Sequence, residues 1–208
     1  MSAEVVAGNS TGTNTNSPLN LTYYNSESEA VYTAEQIGLG AGKKIVKLTW
    51  RGYKTSDEYD ATVSVWLENT TDAAPRTSGT GLIDTENMTE VFNGTYTWKK
   101  VGSSYNDMGD MLVVEIPEGF VYEGNNLRVV VRSEASSWKS ANFEVDANAS
   151  NKARGHWNDN RSTFEGTESS YGSSLSLPVL HIGVEAETAQ YTGKVVDADG
   201  APIVGATV

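Results

Sequence analysis

IVKLTW, residues 45–50, is the stretch that decides the fold: Val46, Leu48 and Trp50 fall on one face, while Lys47, Thr49 and the following Arg51 fall on the other. A period of two sets successive side chains on opposite sides of an extended chain, so the pattern is that of a half-buried strand. Working outward, ATVSVWLE at 61–68 repeats the pattern with Val63, Val65 and Leu67 inward and Thr62, Ser64 and Glu68 outward. Trp66 is left on the polar face, either under a covering loop or as part of a concave platform. Further runs predict strands at 88–92, 95–101, 111–116, 127–132, 142–145 and 179–184. Asn93-Gly94 lies between two of them and predicts a type I′ hairpin turn, and EGNN at 123–126 is a turn before a strand with Leu127, Val129 and Val131 inward. The helical signal is YTAEQIG at 32–38, where Thr33 and Gln36 have capping-box spacing and Gly38 can close the turn.

Many short strands, regular turn signals and almost no helix predict an all-β fold: an antiparallel two-sheet β-sandwich, jelly-roll-like, with one short helix. Residues 1–184 form this body in the sequence reading, and EAETAQ at 185–190 is a linker. The remainder, YTGKVVDADGAPIVGATV at 191–208, reads as strand, turn and strand. Val195 and Val196 precede a turn in which Gly200 supplies positive φ, and Ile203 and Val204 follow it. A lone hairpin is marginal in water, so these residues are expected to be the truncated start of a further domain, a β-hairpin remnant.

The chain has 208 residues, a net charge of −12 and no cysteine. The length suits one sizeable core and a remnant. The acidic balance argues against nucleic acid and anionic membrane surfaces, and the absence of cysteine removes disulfides, thiolate metal sites and a cysteine nucleophile. No apolar run reaches membrane-spanning length, and the first residues lack the pattern of a signal peptide, which is expected to have been removed.

The segment GKVVDADGAPIVGATV resembles the entry motif of carboxypeptidase regulatory-like modules, immunoglobulin-like sandwiches strung along large bacterial surface proteins. A second resemblance rests on PLNLTYYNSESEAVYTAEQIGLGAGKKIVKLTW, VSVWLENT and FVYEGNNLRVVVRSE. Together they look like a β-sandwich, adhesin-like module common in secreted Bacteroidetes proteins, in loose pattern over residues 4–184. These resemblances imply an extracellular or cell-surface location and a multidomain parent chain, and they supply no catalytic residues.

Candidate chemistry is sparse. GLGAGKK at 38–44 fails as a phosphate loop, because Ile37 stands where the first glycine is needed and Lys44 where a magnesium-binding hydroxyl is needed. The histidines, His156 and His181, are the available imidazole bases, and there is no G-x-S-x-G elbow. His181 falls on the outward face of the last strand. His156 belongs to RGHWNDNRS, read as a loop in which Arg154, Trp157, Asp159 and Arg161 form a mixed polar and aromatic cluster of the kind that lines a sugar or peptide site.

Sugar rings stack on exposed aromatic faces while their hydroxyls take carboxylates, amides and guanidinium donors. Trp50 and Trp98 are expected in the core, and Trp138, Trp157 and Trp66 are the ligand-binding candidates, with Arg154, His156, Asp159 and Tyr171 as polar contacts. Oxygen ligands make calcium the one metal this composition admits, with Asp57 and Asp60 the best-placed carboxylates and solvated acidic turns the alternative. No other cofactor is expected. The reading is a non-catalytic binding or adhesion module for a glycan or a surface protein, joined to neighbouring domains. Its alternative is a structural spacer that positions a catalytic or adhesive domain.

Overall fold

The computed structural model describes residues 3–76, 82–149, 151–159, 170–186 and 197–199, with backbone alone for 170–174. Its elements in chain order are β1 (Ala3–Ala7), β2 (Gly12–Asn14), β3 (Asn25–Tyr32), α1 (Ala34–Ile37), β4 (Lys44–Tyr53), β5 (Tyr59–Thr70) and β6 (Thr89–Trp98). There follow β7 (Gly109–Val121), β8 (Asn126–Ala135), β9 (Asn142–Asp146), β10 (Ala153–Asn158), β11 (Ser170–Leu175), β12 (Leu177–Pro178) and β13 (Leu180–Val184). The strands form two antiparallel sheets. One runs β1-β13-β4-β9-β12, with β7 on the other side of β4 and β2 beside β9; the second runs β11-β10-β3-β8-β5-β6. The fold is the expected all-β sandwich.

The inward faces meet in one core. Leu48, Trp50, Leu112 and Val114 from the first sheet join Val63, Val65, Leu67, Val129 and Val131 from the second, all buried. Trp50 and Trp98 are both 1% exposed, as their alternation requires. A register shift in the pairing of β4 with β7, between Ile45 and Lys47, changes one assignment: Ile45, fully buried, enters the core in place of Val46. An irregularity of this kind breaks simple alternation, which is why the period alone misplaces the residue.

The helix follows its sequence signal. The Thr33 side chain accepts from the Gln36 N–H, the Gln36 side chain accepts from the Thr33 N–H, and Gly38 ends the turn in the left-handed region at φ 66°. The Asn93-Gly94 expectation is overturned. β6 runs unbroken through these residues, with Asn93 opposite Ser64 and Gly94 opposite Val63. Asn-Gly makes a tight turn cheap but does not compel one, and ten residues laid along β5 satisfy a ladder that a turn there would interrupt. Four strands of five residues or more, β1, β3, β10 and β11, fall outside the expected set; β10 contains the cluster expected to be a loop.

Asp197–Asp199 lie in a turn, with the Asp199 N–H donating to Asp197 Oδ1 at 3.0 Å. The rest of the 191–208 hairpin expectation lies outside the described residues. No helix among them is long and apolar enough to cross a membrane.

Candidate functional site

Two regions carry the residues singled out from sequence. The first is the outer face of the six-stranded sheet. In β3, Ala30 and Tyr32 point into the core, so alternation sends Glu27 and Glu29 to the opposite face. The register then builds rows across the strands: His156, Glu27, Arg132 and Ser64 in one, and Arg154, Glu29, Val130 and Trp66 in the next.

These side chains neutralise one another. Arg132 Nε donates to Glu27 Oε2 at 2.8 Å, and His156 Nε2 lies 2.7 Å from Glu27 Oε1. Arg154 Nε donates to Glu29 Oε2 at 2.7 Å, and Arg128 Nε lies 2.8 Å from Glu29 Oε1. The remaining nitrogens of Arg128 reach Glu68 and Asp72, and Arg76 also bonds Glu68. Glu27, Glu29, Arg128, Arg154 and His156 are all buried. Isolated charges would be costly at this depth, whereas mutual pairing with additional hydrogen bonds offsets the loss of water.

Residues 71–76 and 82–88, on the connection between β5 and β6, cover part of this layer. Their backbone is held by the two glutamates: the Ile83 N–H donates to Glu27 Oε1 at 2.7 Å and the Arg76 N–H to Glu29 Oε1 at 3.1 Å. Ile83 packs with Trp66 and Val130, with Met88 against them, in a small apolar cluster separate from the main core. Arg132 lies over the Trp66 ring at 5.1 Å, a cation–π distance. Trp66 is therefore 8% exposed and serves as the footing of a strap, not as an open platform.

Protonation follows from burial. Desolvation pushes the His156 pKa down to about 4, with the neighbouring Arg154 and Arg132 charges acting in the same direction. The imidazole is neutral at pH 7, with Nε2 against the Glu27 carboxyl. Burial raises the Glu27 carboxyl above its ordinary value, opposed by Arg132, the Ile83 N–H and Arg154.

Trp157, expected at an exposed loop, is 8% exposed and belongs to the core, with Tyr23 tilted against it at 6.1 Å. It alternates with His156 along β10, so one side chain faces the core and the other the charged layer. Arg154 is ion-paired to Glu29 and the neutral His156 sits against Glu27 inside the sheet, so neither is a free polar contact. Asp159 is exposed and accepts the Tyr24 N–H at 3.3 Å. The Tyr171 backbone lies opposite His156, and its side chain is outside the described residues.

The second region is one end of the sandwich. Trp138 is 52% exposed on the connection from β8 to β9, the one exposed tryptophan of the five. That connection is anchored immediately beyond it. The Lys139 N–H donates to the Leu21 carbonyl at 2.9 Å, and the Ser56 hydroxyl donates to the Ser140 carbonyl at 3.3 Å. The adjoining loop is fixed by Lys54, 1% exposed, whose ammonium donates to the carbonyls of Ser56 and Asp57 and lies 5.4 Å from the Tyr59 ring centre. Burial lowers the Lys54 pKa against the pull of Asp57 and Glu58.

Asp57 and Asp60, the calcium candidates, have other partners. Lys100 lies 3.1 Å from the Asp57 carboxylate, and its hydrogen bond and charge hold that pKa below the ordinary range. Asp60 accepts the Thr97 hydroxyl at 2.6 Å. Among the described residues no three His, Cys, Asp or Glu side chains are grouped to hold a metal. His181, on the outward face of the last strand, is not open to solvent: its side chain is 12% exposed and lies between Glu4 at 3.2 Å and Glu144 at 3.4 Å. The hydrogen bond with Glu144, more than the one with Glu4, raises its pKa.

The structure thus places Trp66, Arg154 and His156 on one outer face of the six-stranded sheet, with Trp66 under Ile83, turns Trp157 into the core, and places Trp138 elsewhere. The sequence reading missed Glu27, Glu29, Arg128 and Arg132. Their signal was present in SES at 26–28 followed by Glu29, and in RVVVR at 128–132, where the inward Val129 and Val131 leave both arginines on the same outer face. No protein-family model matches this chain, and no curated protein does.

Proposed function

We propose that this chain is a non-catalytic recognition module of a larger surface protein, binding a glycan or a protein partner at the sandwich end that carries Trp138. The observation behind this reading is that a half-exposed indole is held on a connection anchored by Lys139 and Ser140. A rigid aromatic face presented to solvent offers stacking area at little ordering cost, and loops fixed on a sandwich end are where such surfaces are built. The engagement of His156 with Glu27, and of His181 with Glu4 and Glu144, favours recognition over acid–base chemistry.

Glycan-array screening followed by calorimetry on Trp138→Ala tests the reading. A ligand should be found whose affinity falls about tenfold or more in the variant, in line with loss of one aromatic anchor. Equal binding by both proteins, or no ligand for either, removes it.

A second reading, a spacer that positions a neighbouring domain, is favoured by the charged layer. Arg154 and His156 are committed to Glu29 and Glu27, and Trp66 and Trp157 are covered. A sheet face spent on holding its own strap suits a rigid support.

A further inference from the structure

The open side of the sandwich, where β6 edges one sheet and β7 the other, contains a cavity of about 360 Å³. From this cavity we infer a second binding site, for a short saccharide bearing a carboxylate.

Tyr96 sets its shape. This side chain leaves β6, crosses the gap and donates its hydroxyl proton to the Met111 carbonyl at 2.8 Å, while the Val113 N–H donates to the same hydroxyl at 3.2 Å. The bonds engage two backbone groups on the side of β7 away from β4. Because the side chain bridges the seam, an extended peptide cannot run along it as an added strand, and a compact ligand is the occupant that fits. Trp98 packs against the ring in an edge-type contact, 5.0 Å away at 64°. Fixed by these contacts, Tyr96 lines the cavity and would give a sugar ring an aromatic surface.

The remaining walls supply the polar chemistry. Lys99 and Lys100 bring ammonium groups and Asp110 a carboxylate, with Val101 and Met111 as apolar surface; Thr95 and Thr97 complete the lining, the Thr97 hydroxyl being given to Asp60. Lys100 is taken by Asp57, and Asp110 faces Arg51 at 3.8 Å. Lys99, exposed at the rim, has no ion-pair partner among the described residues, and it is the cation that a ligand carboxylate would meet. The volume lies at the lower end of the roughly 300–1,000 Å³ typical of small-ligand sites, enough for a short saccharide and not for a long chain.

The inference rests on the recognition reading but uses different residues, so the two fail separately. Trigalacturonic acid and its uncharged counterpart galactotriose would be titrated into the full chain by calorimetry and by amide chemical-shift perturbation. The acidic sugar should bind more tightly and shift Thr95, Thr97 and Lys99. Lys99→Gln, an exposed and structurally mild change, should weaken the acidic sugar about tenfold, the scale of one charge-assisted hydrogen bond, and leave the neutral one unchanged. Trp138→Ala should alter neither titration. Absence of binding at millimolar ligand, shifts confined to other residues, or equal affinity of both sugars in the wild type and Lys99→Gln would overturn the inference. Loss of binding in Trp138→Ala with Lys99→Gln unaffected would assign the sugar to the loop end instead.

Discussion

Trp157 and Trp138 both sit among Ser, Asn, Arg, Lys and acidic neighbours in the sequence, and both read as loop aromatics. The structure separates them. Trp157 lies on β10, 8% exposed and packed into the core, with Arg154 and His156 of the same strand buried against Glu29 and Glu27; Trp138 lies on a connection, 52% exposed and beside no such layer. The difference is one of satisfied neighbours. Along β10 each polar residue finds a cross-strand counterpart on β3, Arg154 on Glu29, His156 on Glu27 and Asn158 on Asn25. That pairing lets a polar strand be covered. Trp138 belongs to no ladder, and its neighbours Lys139 and Ser140 bond through the backbone alone to segments of other loops. A mixed polar and aromatic cluster is therefore no sign of a surface until its charges are shown to lack partners inside the fold.

The sharpest break of this contrast is at Glu29. Glu29→Gln keeps the shape and removes the charge that Arg128 and Arg154 share, leaving buried guanidinium groups undercompensated. The expected cost is about 3–5 kcal/mol, the range for removing one partner from a buried ion pair. Chemical denaturation measures it, together with faster amide exchange at Arg76, whose N–H loses a charged acceptor. A loss below 1 kcal/mol would mean that the layer is solvated and available, and the two regions would no longer differ in kind. Trp157→Ala should cost a similar 3–5 kcal/mol through the cavity it leaves.

The two histidines sharpen the comparison through pH. His156 has a folded pKa near 4, below its unfolded value near 6.5, so the unfolded chain binds the extra proton between them. The stability it supports is present above pH 6.5 and is lost as pH falls toward 4. His181 is the reverse. Its pKa is raised by Glu144 and Glu4, so its contribution is full below the unfolded value and is lost as pH rises through the folded one. Relative to wild type, His156→Asn should flatten the acid limb of the stability–pH curve, and His181→Asn the limb on the alkaline side of pH 6.5. Denaturation series from pH 4 to pH 8 separate the two, and coincident effects on a single limb would contradict the opposite shifts.

Much of the fold was legible because alternation reports half-buried strands directly: Val63, Val65 and Leu67 on β5, and Leu127, Val129 and Val131 on β8, face inward as read. β3 was illegible by the same logic. Its eight residues are all buried, yet Ser26, Glu27, Ser28 and Glu29 carry no apolar period, because the outer face is covered by a strap and satisfied by arginines from other strands. Asn93-Gly94 misled in the opposite way, a strong local turn preference overruled by ten residues of pairing with β5. At the candidate sites, residue type was readable and exposure was not. Exposure depended on long-range partners: Glu27 and His156 stand 129 positions apart in the chain, and a single strand's pattern cannot report them.

The smallest expected effect bears hardest on function. Trp138→Ala removes an indole already half in water, from a connection whose anchors are the Lys139 N–H and the Ser140 carbonyl. Both anchors are backbone groups and survive the substitution. Stability should therefore change by no more than about 0.5 kcal/mol, as at surface positions free of special interactions. An aromatic residue that is nearly neutral to the fold is one whose removal would lower affinity without lowering stability, which is how the recognition reading separates from a packing role. If denaturation of Trp138→Ala instead shows a loss of 2 kcal/mol or more, the indole is packed as Trp157 is. The spacer reading would then gain both tryptophans.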